Sequence, residues 1–287
     1  MKKIVKINIK NNIEYYSSLC DGFIVGLKDF SIDYDDVFSC EEIKDLVEKY
    51  SDKEIFVAMN KNIFNNELES VEKILMFLNA LKVKVLFYDM SILYLKRKKN
   101  LEIDLVWNQT HMVTNYNTCN YYYDKGSKYA FVAGEITLDE IIEIKEKSKS
   151  SLLVQVVGHQ VMSHSRRRLL TNYYTSIDRK YDGGVKTISE NDKKYLIKET
   201  KDGATIKTDE ILNGLPFLNK LKDADIDYIV IDESYINTDT ILSVLNLAEN
   251  IICGRNVSES IEKSKELIGD NTSFLFKKTI YKVKKEG

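Results

Sequence analysis

The sequence predicts an α/β fold, a (β/α)8 TIM-like barrel, and three observations carry that prediction. Short β-branched runs alternate with amphipathic segments, the runs number eight, and no G-x-G-x-x-G follows the first of them. Strand–helix alternation forces parallel strands, which must be covered on both faces. Eight repeats favour a closed barrel over an open doubly wound sheet, and the missing glycine fingerprint leaves a dinucleotide fold unsupported. At 287 residues the chain has the usual length of one such barrel, so 1–287 is expected to be a single domain.

The predicted strands are Ile4–Ile9, Gly22–Leu27, Glu54–Met59, Val83–Tyr88, Ile103–Val106, Tyr129–Ala133, Leu152–Val157 and Tyr228–Ile231. Helical patterns fall at Cys40–Tyr50, Glu67–Leu81, Ser91–Lys98, Asn115–Lys125, Leu138–Ser148 and Thr238–Glu249. The clearest runs Leu68, Val71, Ile74, Leu75, Leu78, apolar every three or four positions. Ser39 before Glu41 and Glu42, and Thr137 before Asp139 and Glu140, give N-caps followed by acidic first turns.

The alternation breaks over 159–226, between strands seven and eight. Connections in compact domains have a median of about 4–6 residues. A stretch this long predicts an inserted lid or small subdomain over the barrel's C-terminal mouth, where barrel sites lie. It carries Tyr173-Tyr174, Asp182-Gly183-Gly184, a hairpin-like segment Tyr195–Ile206 around Asp202-Gly203, and the single proline, Pro216. The tail, 270–287, contains an alternating strand-like run, Phe274–Lys285, expected to pack on the insertion or on a partner.

Hydrophobic residues make up 44% and charged residues 30%, which excludes a mainly disordered chain. A net charge of -2 argues against a surface given wholly to nucleic acid, and no DNA partner is expected. The 42 Lys and Arg still leave room for a local basic patch. No window reaches the ~18 apolar residues of a membrane span, and Ile4–Ile9 alternates as a strand does, unlike a signal peptide. Cys20, Cys40, Cys119 and Cys253 lie far apart without C-x-x-C spacing, as free thiols of a cytoplasmic protein do.

Polar residues at the predicted strand ends form the candidate mouth: Asn60, Asp89, Asn108 with Gln109, Glu135, Gly158 with His159, and Asp232 with Glu233. Glu135 and Asp232 are the candidate catalytic residues, because carboxylates in unlike environments divide into acid and base. The candidate binding residues are Asn60, Asn108, Gln109, Asn115, His159, His164, Arg166, Arg167 and Arg168. Guanidinium groups past strand seven suit phosphate or carboxylate. With Tyr173-Tyr174 close behind, they also suit single-stranded nucleic acid, which is held by charge and stacking. A solvated charge run accounts for the same arginines about equally well. His111, His159 and His164 lack zinc-ligand spacing, so no metal is expected. No G-x-S-x-G elbow marks a nucleophilic serine, and Cys119, on a predicted helix, has the place of a core thiol.

The run Leu152–Tyr173 resembles the signature of the collagenase-like peptidase family, peptidase family U-thirty-two: an acidic strand, a Gly, a Cys-containing turn, then Arg or Cys before Leu-Leu-Ser. Gly22–Leu27 followed by Phe38-Ser39 is similar to that family's opening strand and helix. Trp107–Thr110 with Thr114-Asn115 resembles its fifth-strand motif, Gly134–Ile141 its Glu-Leu-x-x-x-Glu-Ile motif, and Phe274–Tyr281 the tail of short Gram-positive members. The resemblance covers nearly the whole chain. It implies a peptidase or, in the better supported members, a part in hydroxylating tRNA wobble uridine, a ribosomal cytidine or a ubiquinone precursor. Those members hold a [4Fe–4S] cluster on four cysteines, and the tRNA branch takes its hydroxyl from prephenate.

Here Val161 and Arg168 stand at the two signature cysteine positions, no cysteine pair follows Tyr173, and Gln155 replaces the strand-seven acid. A cluster needs thiolates, so no iron–sulfur cluster and no other bound cofactor is expected, with prephenate as a co-substrate. Three roles follow from the resemblance. The first is a cluster-free component of tRNA hydroxylation that binds prephenate or RNA phosphate through Arg166, Arg167 and Arg168, beside a cluster-bearing paralogue or a second copy of itself. The second is a peptidase or peptide-binding module, and the third a non-catalytic scaffold. A mouth for prephenate or RNA should be net positive; a peptide groove should be apolar.

Overall fold

The computed structural model describes residues 1–277 except Asp192. Among these, β1 (Lys2–Lys6), β2 (Gly22–Gly26), β3 (Glu54–Met59), β4 (Lys84–Phe87), β5 (Asp104–Trp107), β6 (Tyr129–Phe131), β7 (Ser151–Gly158) and β13 (Tyr228–Asp232) pair in parallel, each with the next. The sheet closes where Tyr129 pairs with Ser151, Tyr228 with Leu153 and Lys2 with Tyr228. The protein is therefore a TIM-like (β/α)8 barrel.

Period-two alternation sorts the strand residues into two layers. Ile4, Ile24, Phe56, Ala58, Leu86, Val106, Leu153 and Val230 cluster together and fill the barrel interior. Val5, Phe23, Val25, Ile55, Val57, Val85, Leu105 and Ile229 point outward into the larger core shared with the helices. The helices supply Ile43 and Leu46, then Val71, Leu75 and Leu78, then Ile141 and Ile144, then Val244, Leu245 and Ala248. Ser39 Oγ accepts from Glu42 N, Thr137 Oγ1 accepts from Glu140 N, and each Glu returns onto its cap's N–H. Both are complete capping boxes, which start the helices where the sequence places them.

The first strand ends earlier than its alternation predicts. The chain leaves the sheet after Lys6 because Asn8 N and Ile9 N donate to the Glu233 carboxylate, at 2.5 and 2.8 Å. That leaves Ile9 on the surface. The tail differs too: residues 271–277 form turns, with Leu275 N on Thr272 O and Lys277 N on Phe274 O, instead of a strand. The remainder of the Phe274–Lys285 run lies outside the described residues.

Past β7 the chain builds a second, antiparallel sheet of β8 (Val161–Ser165), β9 (Lys186–Glu190), β10 (Lys193–Thr200) and β11 (Gly203–Thr208), ordered β8-β11-β10-β9. The helix Leu169–Ser176 packs on it through Leu170, against Ile197 and Ala204. The short β12 (Leu212–Asn213) then adds antiparallel to β7, and the helix Leu218–Asp223 returns the chain to β13. The 161–208 sheet roofs the C-terminal mouth.

Gly158 joins barrel to roof at φ +128, and a Cβ there would lie 2.7 Å from Asp232 Cβ. Gly158→Ala combines a disfavoured backbone with overpacking, each worth about 1–3 kcal/mol. Chemical denaturation is expected to show a loss of about 2–3 kcal/mol, and a smaller one for alanine at Gly183, whose backbone is also left-handed at φ +81 but where nothing lies within 4 Å of the added Cβ.

Candidate functional site

Below the roof lies a cavity of about 450 Å³ lined from both parts of the molecule. The barrel contributes Lys6, Ile24, Asn60, Leu86, Asn108, Glu135, Gln155, Val230 and Asp232, and the roof Val161, Met162, Ser163, His164, Arg166, Asp202 and Thr205. Lys61, Asp33 and His111 come from loops after β3, β2 and β5. This is the mouth in which barrel proteins place their sites.

Four charges with little side-chain exposure close the floor, Lys207 and Asp232 buried and Lys6 and Asp33 half-buried. Lys6 Nζ lies 2.6 Å from Asp33 Oδ2 and 3.0 Å from Asp232 Oδ2; Lys207 Nζ, from β11 of the roof, lies 2.8 Å from Asp33 Oδ2 and 3.6 Å from Asp232 Oδ2. Lys207 makes no well-aligned hydrogen bond despite these distances, so its attraction to the two aspartates is essentially Coulombic. Burial pushes the Asp232 carboxyl up, but Lys207, Lys6 and the Ser234 hydroxyl and N–H outweigh it and hold it well below the usual carboxylate range. Burial pulls Lys6 down, but Asp232 and Asp33 outweigh it and raise it well above the usual lysine value. Asp232 is thus a fixed charge, unsuited to exchanging protons near neutrality. Lys198 and Lys201 pair with Asp35 and Asp29, so the roof hairpin is clasped to the loop after β2 by three lysine–aspartate contacts.

The structure separates the predicted residues into two groups. Glu135, Asp232, Asn60, Asn108, His164 and Arg166 line the cavity. Glu135 Oε1 lies 2.5 Å from His111 Nδ1, and Asn60 grips the main chain of Ile32 through both amide atoms, at 2.9 and 3.2 Å. His164 Nδ1 is 3.0 Å from Thr205 Oγ1, and burial lowers its pKa. The Arg166 guanidinium lies 3.9 Å over the Phe64 ring.

The other predicted residues do not line the cavity. Gln109 accepts from Trp107 Nε1 at 3.1 Å and donates to Tyr88 O at 2.7 Å, which turns its amide to the wall. Asn115 caps the helix Tyr116–Asp124 through Thr118 N. His159 Nδ1 donates to Thr208 O at 2.9 Å, its pKa lowered by burial. Arg167 and Arg168 are exposed on the roof beyond the cavity edge. Glu233 is buried and accepts four hydrogen bonds, from Asn8 N, Ile9 N, Asn12 Nδ2 and Tyr16 OH.

Sequence patterns missed Asp33, Lys61 and Lys207, which are brought together only by the fold. Lys6 carried the one usable signal, a cation at an inward position of a parallel strand that should be wholly apolar. The cavity also departs from the expectation of a net positive mouth, since its lining holds Lys6, Lys61 and Arg166 against Asp33, Glu135, Asp202 and Asp232. The positive charge sits on the roof: residues 161–208 carry eleven Lys and Arg against six Asp and Glu. Among the described residues, Arg166, Arg167 and Arg168 form no ion pair within 4.0 Å.

The thiols do not fit an iron–sulfur cluster. Cys20 precedes β2, Cys40 opens the helix Cys40–Lys49, Cys119 lies within Tyr116–Asp124, Cys253 follows the helix Thr238–Ile252, and none lines the cavity. Burial pushes Cys20 and Cys119 up to about 12, the opposite of what a thiolate ligand needs. Among the described residues no cluster of three or more His, Cys, Asp and Glu is placed to hold a metal ion, and no helix is long and apolar enough to cross a membrane.

Barrel and roofed mouth define an α/β-barrel protein with its site at the C-terminal ends of the strands. A family model described as Peptidase family U32 matches residues 9–269, and the chain belongs to that family. It is 29% identical to the tRNA hydroxylation protein P2 of Bacillus subtilis (strain 168), over 90% of this chain and 92% of the relative. Similar solved structures include a U32 peptidase, 14% identical with a TM-score of 0.47 over 56% of this chain and 70% of that one. A 3-hexulose-6-phosphate synthase is 13% identical with a TM-score of 0.46, over 86% and 99%.

Proposed function

We propose that the protein is a cluster-free component of tRNA hydroxylation, in which the roof receives tRNA phosphates and a small carboxylate co-substrate such as prephenate enters the mouth at its Arg166 edge, away from the carboxylates of the floor. The observation that carries this proposal is the run Arg166–Arg168, three exposed guanidinium groups that form no ion pair within 4.0 Å among the described residues, on a segment of net positive charge. Unpaired arginines are disposed to take phosphate or carboxylate in bidentate fashion. The similarity to a relative named for tRNA hydroxylation favours RNA as the source of those phosphates. Arg166 lines the cavity as well as its edge, so it can meet a ligand from either side. Gln155 adds an amide nitrogen that is buried without a hydrogen-bond partner among the described residues, a donor suited to a carboxylate or carbonyl oxygen. Because the thiols do not fit a cluster, a cluster-bearing partner chain would supply that chemistry.

Fluorescence anisotropy of labelled tRNA against salt tests this. Each phosphate contact contributes about 0.7–0.9 to the slope of log K against log salt. The R166A/R167A/R168A variant is expected to flatten that slope by about two units. An unchanged slope, or no tRNA binding by the wild type, contradicts the proposal.

A further inference from the structure

We propose that His111 and Glu135 form the proton-transfer pair of the cavity, with His111 meeting the ligand and Glu135 acting as its positioning residue. They stand on neighbouring loops, after β5 and β6, and both line the cavity. The 2.5 Å contact joins His111 Nδ1 to Glu135 Oε1. A carboxylate accepts, so Nδ1 carries the donated proton and Nε2 of the neutral ring keeps its lone pair. The two side chains are 47% and 44% exposed, which leaves the pair open to a ligand, whereas the side chains of Lys6, Asp33, Lys207 and Asp232 are each 12% exposed or less.

The backbone supports this placement. Thr110, next to His111, has φ +26, a conformation that costs a β-branched residue about 1–3 kcal/mol. The turn is held by Met112 N on Gln109 O at 2.7 Å, with Gln109 itself fixed by Trp107 and Tyr88. The other lining carboxylates have ammonium groups within 4.0 Å: Asp33 and Asp232 in the floor, and Asp202 at 3.9 Å from Lys61.

In the step itself, a hydroxyl of the ligand or a water loses its proton to His111 Nε2. The O–H bond breaks with its electron pair left on oxygen, an N–H bond forms, and the ionised Glu135 balances the imidazolium. The identity of the ligand rests on the function proposed above; the pair itself does not.

Two readouts test this inference. The chain has three histidines, so long-range 1H–15N spectra resolve the His111 ring. The neutral His111 ring of the wild type is expected to be the Nδ1–H tautomer, and that of Glu135→Ala the Nε2–H form usual for free imidazole. A wild-type Nε2–H tautomer overturns the pair. The second readout is the rate at which 5-hydroxyuridine appears in tRNA of a deletion strain after induced expression. His111→Gln is expected to lower that rate about 100-fold, Glu135→Ala about 10- to 100-fold, and Glu135→Asp to restore it to within a few-fold of wild type. An exposed pair contributes little to folding, so these variants keep the fold. Wild-type rates in His111→Gln overturn the inference. Should the wild-type gene itself fail to restore hydroxylation, the proposed function falls and the tautomer alone decides the pair.

Discussion

Asp232→Ala is expected to lower the stability of the protein by about 3–5 kcal/mol, the effect of leaving buried cations without their partner. Asp232 is 3% exposed and Lys207 1%, so once the carboxylate is gone Lys6 and Lys207 share Asp33 alone. The loss should also loosen the roof, because Lys207 belongs to the roof and Asp232 to the barrel. Limited proteolysis within 161–208 is therefore expected to accelerate in this variant before the barrel unfolds. The pH dependence has a definite sign. The folded Asp232 carboxyl lies below its unfolded value of about 3.9, so its contribution is complete above that value and is lost as pH falls through the folded one. Lys6 is raised in the fold. Its contribution is complete below about 10.4 and is lost only as pH rises through its folded value. Stability attributable to these two groups should be flat between roughly pH 5 and 10, and Asp232→Asn should remove part of the acid limb.

Glu233→Ala is expected to cost a similar amount, about 3–5 kcal/mol, for a different reason. The carboxylate takes two main-chain N–H groups, an amide and the Tyr16 hydroxyl, all within 2.8 Å. Removing it strands buried donors, each worth about 1–3 kcal/mol, and frees the turn that ends β1 at Lys6. Glu233→Gln keeps an accepting oxygen but turns an NH2 toward two of the donors, so its loss should be intermediate. Denaturant titrations of the two variants separate the charge of the carboxylate from its shape, and equal stability of all three proteins would contradict this account of the turn.

Much of the barrel was legible because its signals are local. Period-two runs placed eight strands, and Ser39 and Thr137 marked two helix starts within a residue. Contacts distant in sequence set what was misjudged: Glu233 ends the first strand 224 residues away from Ile9. The helices Leu218–Asp223 and Val257–Ile268 escaped notice, the first for its shortness and the second because its buried side includes the serines Ser260 and Ser264. For the site, strand ends pointed to the cavity wall at Asn60, Asn108, Glu135 and Asp232. The same rule swept in Gln109 and Glu233, whose hydrogen bonds serve the backbone. The Lys6–Asp33–Lys207–Asp232 group had no motif to betray it, since its members span positions 6 to 232.

The most direct measurement is nucleoside mass spectrometry of tRNA from a strain lacking this chain, complemented with wild type or with R166A/R167A/R168A. 5-Hydroxyuridine derivatives are expected to disappear in the deletion, return with wild type and stay low with the triple variant. Unchanged 5-hydroxyuridine in the deletion strain, with any paralogue also removed, would contradict the proposed function.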